Sequence, residues 1–288
     1  AGRMESARRM RRSSDGMSRK PSTIRSSVSA PLKRKFVLTA VFTVYNTDAR
    51  CLTDYGDDKS VIDTINATDP KVIAVADEFK YKNIFLLNEQ EVVDAVNSQV
   101  LNVEATRVES VFPNKIIVHY YLLTEDLQFS VGDKYIVTGA TGKILASNDY
   151  DSTVSGNYND TLIRVVPHAA PESSEVGTYA YSDRNCYDMT TLATILDIAS
   201  RLQDIEGERV FNKGSMLEID LSDEHLIYIT MRSGVTFRLY GGANKLEEKI
   251  RSMASWFVSV EDYKTMRGTA TISDEDPERV TYTPSPRT

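Results

Sequence analysis

The chain has only two cysteines and three histidines in 288 residues, and no long hydrophobic run. Cys51 and Cys186 stand 135 residues apart, a spacing that builds neither a metal clamp nor a disulfide framework. Both read as ordinary thiols, with no base recognisable beside either. His119, His168 and His225 have no partners at the spacing of metal ligands or of an activated nucleophile. His119 reads as a packed residue on a strand. GxSxG, HExxH and GxGxxG are missing. The run from Gly139 to Lys143 (GATGK) is too short for a phosphate loop, and Ile144 occupies the position where a metal-binding hydroxyl is required, so it reads as a turn at Thr141–Gly142. Asp57–Asp58 and Glu247–Glu248 read as solvated carboxylates, and the sequons at Asn66 and Asn159 as chance occurrences. These absences predict a non-enzymatic protein with no catalytic residue, no cofactor and no metal. The longest apolar-leaning stretch, Phe36–Tyr45, is ten residues interrupted by Thr39 and Thr43, where a membrane-spanning helix needs about 20. A signal peptide is not expected either, because 35 residues precede that stretch and no small-residue cleavage site follows it.

What the chain does have is charge, unevenly placed. The net −7 conceals a basic segment, residues 1–35, with 11 Lys+Arg against 2 Asp+Glu, a net +9. The other 253 residues carry 23 against 39, a net −16. Residues 1–35 are rich in Ser, Arg and Pro and poor in large apolar side chains, which predicts a disordered tail. Arg8, Arg9, Arg11, Arg12, Lys33, Arg34 and Lys35 suit contact with anionic lipid or nucleic acid, and the plainer readings are a solubilising tail or the cytoplasmic flank of a membrane protein. The acidic remainder argues against nucleic acid as the main partner. At 41% hydrophobic residues, the length fits two folded units plus tails.

The first unit is expected over residues 36–125. Phe36–Tyr45, rich in β-branched and aromatic residues, predicts a strand. Asp69–Pro70 opens a helix over Lys71–Phe79, with Val72, Ile73, Ala76 and Phe79 on one face. Asn88 with Glu91 forms an N-cap box for a second helix that groups Val92, Val93 and Val96. Val100–Val111, a Phe112–Pro113–Asn114 turn and Lys115–Leu123 complete a β-α-α-β-β order, a small sheet with two helices on one face.

The second unit is expected over 126–275, with 276–288 as terminal strand and tail. Lys134–Leu145 reads as two short strands about their turn, and Asn148–Asp160 as a loop. Asp188–Ile205 places Leu192, Ile195, Ala199 and Leu202 at helical spacing. Met216–Leu221, His225–Met231 and Val235–Tyr240 read as strands, the last two joined at Ser233–Gly234. Asn244 with Glu247 predicts the cap of a helix whose Leu246, Ile250, Met253, Ala254 and Phe257 face one way. Gly268–Ser273 and Arg279–Thr283 read as closing strands. The expected class is α+β.

Across residues 70–283 the order and spacing resemble the bacterial cell-division family FtsQ/DivIB, a POTRA module followed by a β domain. In the first unit the likeness lies in Lys82–Leu87 (KNIFLL), the helix after it, and the hairpin positions Phe112, Pro113, Asn114, Ile116 and Val118. Leu122 stands where the family often has Glu, and Gly139 where it has Asp. The run EIDLSDEHLIYITMRSGVTFRLYGGANKLEEKIRSMASWF carries the densest match, with Gly234, Leu239, Gly241, Leu246, Lys249 and Ile250 in the family's positions.

The resemblance implies a non-catalytic assembly protein that links septal membrane proteins. It also implies a small coiled-coil partner of the FtsB/DivIC type, adding its strand to the terminal edge at Arg279, Val280, Thr281, Tyr282 and Thr283, with Tyr282 as anchor. The family has one membrane anchor between basic tail and POTRA module, which would put the tail in the cytoplasm and the bulk of the protein outside it. Here only ten apolar residues lie in that place. The alternative is a soluble α+β ligand-binding protein or enzyme whose site is not coded by a motif.

Overall fold

A computed structural model describes residues 42–52, 64–65, 69–154, 162–202, 215–260 and 265–285. The predicted basic tail, Asp57–Asp58 and both sequon asparagines lie outside these residues, as do positions 36–41 of the first predicted strand and 203–205 of the third helix. The class is mixed α+β.

The first sheet is built from β1 (Asn46–Leu52), β2 (Thr64–Ile65), β3 (Val103–Val111) and β4 (Lys115–Leu122), in the order β2-β1-β4-β3. β4 (KIIVHYYL) is central, with β1 parallel to it and β3 antiparallel. Ile116, Val118 and Tyr120 of β4 pack on α1 (Pro70–Asp77) and α2 (Glu89–Gln99) in one core cluster. An isolated 11-residue helix is marginal in water, so what holds α2 is burial of Val92, Val93 and Val96, each side chain contributing about 1.5–3 kcal/mol. The Asn88 side chain accepts from the Gln90 N–H at 3.1 Å and donates to Glu91 Oε1 at 3.4 Å, the cap that its sequence signature predicts.

The second sheet has nine strands among the described residues, in the order β13-β12-β11-β10-β9-β8-β5-β6-β7. Its strands are β5 (Leu127–Val131), β6 (Lys134–Thr138), β7 (Ile144–Asn148), β8 (Ile163–Val166), β9 (Met216–Asp223), β10 (Leu226–Met231), β11 (Val235–Tyr240), β12 (Gly268–Ile272) and β13 (Thr281–Pro284). Along β10, β11 and β12 the burial alternates residue by residue, as a half-covered sheet requires. The inward set packs on α3 (Tyr187–Arg201) and α4 (Leu246–Ser259).

Two buried groups tie the sheets together within the compact unit Val41–Thr288. The fully buried Lys143 reaches from the turn before β7 to the carbonyls of Val100 and Val103, at 2.8 and 2.9 Å. Burial pushes its pKa down, opposed by the nearby Glu104. Glu104, on β3, accepts from the Tyr179 hydroxyl at 2.9 and 2.7 Å and from Arg184 at 2.8 Å.

Several expectations are corrected. The first strand is Asn46–Leu52; of the predicted Phe36–Tyr45, the described residues 42–45 are a lead-in to it that carries the isolated Thr43–Asn83 bridge. Pairing to β4 and burial of Ala49 and Cys51 outweigh the polar composition of β1. β3 begins at Val103, three residues later than predicted. Asn244 does not cap α4: its side chain donates to Asp274, Lys245 holds the N-cap with φ 48°, and Glu247 pairs with Arg251. His119 is 3% exposed and bonds Glu109 at 3.0 Å, and Gly142 (φ 80°) takes the turn between β6 and β7.

Candidate partner-binding edge

β12 (GTATI) pairs with β11 in parallel and with β13 in antiparallel register, Gly268↔Pro284, Thr269↔Thr283, Ala270↔Tyr282 and Thr271↔Thr281. Gly268 has φ 148°, and a Cβ there would lie 2.4 Å from the Thr283 carbonyl oxygen and 2.9 Å from Tyr282 Cε2. Only glycine lets β13 approach this closely.

The approach to β13 is also fixed. A Cβ on Gly241 would stand 2.5 Å from Asp274 Cγ, so the Asp274 side chain rests on the bare backbone. Asn244 donates to Asp274 Oδ2 at 3.1 Å and Lys245 to the Asp274 carbonyl at 3.0 Å. The Asn244 hydrogen bond holds the Asp274 carboxyl below the usual carboxylate range. Beneath this turn Lys249 is fully buried, donating to the carbonyls of Tyr240 and Gly242 at 2.7 and 2.9 Å. Burial pushes its pKa down.

The five residues singled out from sequence have distinct places. Arg279 and Val280 precede the strand; Arg279 donates its N–H to Asp276 in a turn, and Val280 packs against the core. Thr281 and Thr283 are exposed on β13. Tyr282 turns inward: its ring lies 5.1 Å from the Trp256 ring, and its hydroxyl donates to the Arg267 carbonyl at 2.6 Å. It is therefore the anchor that seats the chain's own last strand. Trp256, Arg267 and Gly268 make that seat, and sequence reasoning passed over all three. The one available signal was that Trp256 is the only tryptophan of the chain.

The register also determines which main-chain groups face out. Ser285 N–H donates to the Arg267 carbonyl at 3.1 Å. In an antiparallel ladder such pairs alternate, so Thr283 and Thr281 turn their main-chain groups to β12, while Tyr282 turns its N–H and C=O away. Pro284 adds a carbonyl but no N–H. The edge thus offers a short template ended by proline. Beside it lies a hollow of about 480 Å³, lined by α4 residues including Arg251, Ser255 and Trp256 and, across from them, by Glu278 and Val280.

A second hollow, about 590 Å³, lies between α2, β3 and the 177–184 segment, but the charges of Glu104 and Arg184 in its wall are engaged with each other and with Tyr179. Among the described residues no group of three or more His, Cys, Asp or Glu could hold a metal ion. No helix among them is long and apolar enough to cross a membrane. Compared with known proteins, the chain matches no protein-family model and no curated protein.

Proposed function

We propose that the protein is a non-catalytic docking protein that accepts a partner strand on the free side of β13, in the manner of the FtsQ/DivIB proteins it resembles. The observation that carries this reading is the terminal strand itself. β13 is seated from within by Tyr282, presents Thr281 and Thr283 to solvent, and turns outward main-chain groups that pair with no other strand among the described residues. Main-chain hydrogen bonds along such an edge give affinity, and alternate side chains give selectivity. In this reading the partner is a short membrane-anchored coiled-coil protein of the division septum, and the protein works at the cell membrane beside other septal proteins.

The β-β-α-α-β-β order of the first sheet and its helices, which is the expected β-α-α-β-β order with the two-residue β2 added after β1, supports a POTRA-like role for that part, as a second docking module. Tyr282 is the wrong residue to test, because replacing it unseats the strand. The exposed pair Thr281→Lys/Thr283→Lys places charge on the edge while leaving the Trp256–Tyr282 contact in place. Pull-down of the coiled-coil partner is expected to fall at least about tenfold, with Trp256 emission unchanged. Undiminished capture by this variant would remove the edge from consideration.

A further inference from the structure

One end of the first sheet carries a cluster of exposed aromatic and aliphatic side chains that plays no part in docking at β13. Phe42, Phe85 and Phe112 form a triangle with every pair of ring centroids 5.1 Å apart. Phe85 is 63% exposed, Phe112 55%, Leu86 84% and Tyr81 76%. Tyr45 stands edge-on to Tyr81 at 5.9 Å. The six residues come from three segments that meet where β1 and β4 begin and β3 ends: the lead-in to β1, the connection after α1, and the β3–β4 turn.

Main-chain hydrogen bonds join the segments that carry the cluster, and Phe42 packs against the core beneath it. Val44 N–H donates to Lys82 at 3.0 Å, Tyr81 N–H to Val44 at 2.9 Å and Ile84 N–H to Phe42 at 2.8 Å. Tyr81 adopts φ 70°, a conformation that a bulky residue rarely holds unless its surroundings impose it. Exposed apolar surface of this kind marks an interaction site.

Charge indicates what it meets. The described fold begins at this end with Phe42, so the +9 of residues 1–35 is joined to it here through the chain, and the exposed Lys82 lies in the same segment as Tyr81 and Phe85, its ammonium 4.3 Å over the buried Phe79 ring. The rest of the protein is strongly acidic. An anionic surface therefore attracts this end and repels the remainder, which fixes the orientation. We propose that the Phe42–Phe85–Phe112 end inserts its exposed rings and Leu86 into the headgroup region of an anionic lipid bilayer, with the tethered cationic segment supplying the electrostatic attraction. Tyrosine hydroxyls beside apolar rings suit that boundary, which is wet on one side and apolar on the other. The proposal is independent of any partner at β13.

The test is co-sedimentation of the full chain with vesicles of mixed phosphatidylglycerol and phosphatidylcholine, and with pure phosphatidylcholine. Binding is expected to the mixed vesicles, weaker on the neutral ones and weakened by salt. Phe85→Ser/Phe112→Ser is expected to reduce binding at least about tenfold, since two rings leave the interface. Leu86→Asp, at the most exposed position, reduces it independently. Both variants keep the wild-type circular dichroism and Trp256 emission. Failure of the wild-type chain to bind, or equal binding by the variants, overturns the proposal; the second result would assign attachment to the basic tail alone. A change in sedimentation mass on Phe85→Ser/Phe112→Ser would also overturn it, by making the cluster a contact between two copies of the chain.

Discussion

Substitution of Tyr282 by alanine isolates what holds the terminal strand. β13 makes four register pairs with β12, and nothing else among the described residues pairs with its outer side. Tyr282 adds a hydroxyl bond to the Arg267 carbonyl, worth about 1 kcal/mol. The tilted ring pair with Trp256 is worth about 1 kcal/mol beyond burial. The part-buried ring contributes about 1 kcal/mol more as apolar surface. Together these raise the local opening constant by roughly a hundredfold when lost. A terminal strand opens for only a few kcal/mol, so Tyr282→Ala leaves β13 largely detached while the core remains folded. Trp256 is the only tryptophan, so its emission reports the event directly. The maximum shifts to longer wavelength, iodide quenching increases, and amide exchange over residues 281–285 loses its protection. Tyr282→Phe, which removes only the hydroxyl bond, gives a small fraction of the effect. Unchanged emission and exchange in Tyr282→Ala would refute the assignment of Tyr282 as the seat of the strand.

Gly268→Ala forces a Cβ within 2.4 Å of the Thr283 carbonyl oxygen, and is expected to release β13 and speed tryptic cleavage at the exposed Arg279. Lys249→Met leaves the Tyr240 and Gly242 carbonyls without their donor; denaturant titration should show a loss of about 2 kcal/mol or more, and a loss below 0.5 kcal/mol would contradict the role given to the ammonium. Burial holds the Tyr181 phenol, and with it that of Tyr179, above the usual tyrosine pKa of 10, so the unfolded chain ionises first. Stability is therefore complete below pH 10 and falls as pH rises above it, by about 1.4 kcal/mol per pH unit for the buried Tyr181. Urea titrations above pH 10 check this, and Tyr181→Phe should flatten the slope.

Local signals and distant ones were unequally legible. The second and fourth helices could be read directly, because valines or large apolar residues recur at helical spacing and decide which face is buried. Ser233–Gly234 marked its hairpin because Gly234, at φ 96°, needs a left-handed turn. β1 was missed because NTDARCL is polar, and becomes a strand only through a parallel partner more than sixty residues away. β5 and β8 were passed over, and their pairing with each other is likewise nonlocal and parallel. Asn244 carried a cap signature, yet Asp274, thirty residues later, competes for its side chain and wins. The site followed the same pattern: a terminal strand could be expected from alternation, but the direction of Tyr282 depends on Trp256 and Arg267, which lie far from it in sequence.

The parallel pairing of β1 with β4 has a mechanical consequence. Tension applied at Phe42 and directed along β1 pulls that strand lengthwise past its neighbour. The six register pairs from Asn46↔Lys115 to Cys51↔Tyr120 then carry the load together instead of parting one at a time. A strand loaded in shear resists far more force than one peeled from its end, so tension entering at Phe42 meets all six pairs at once.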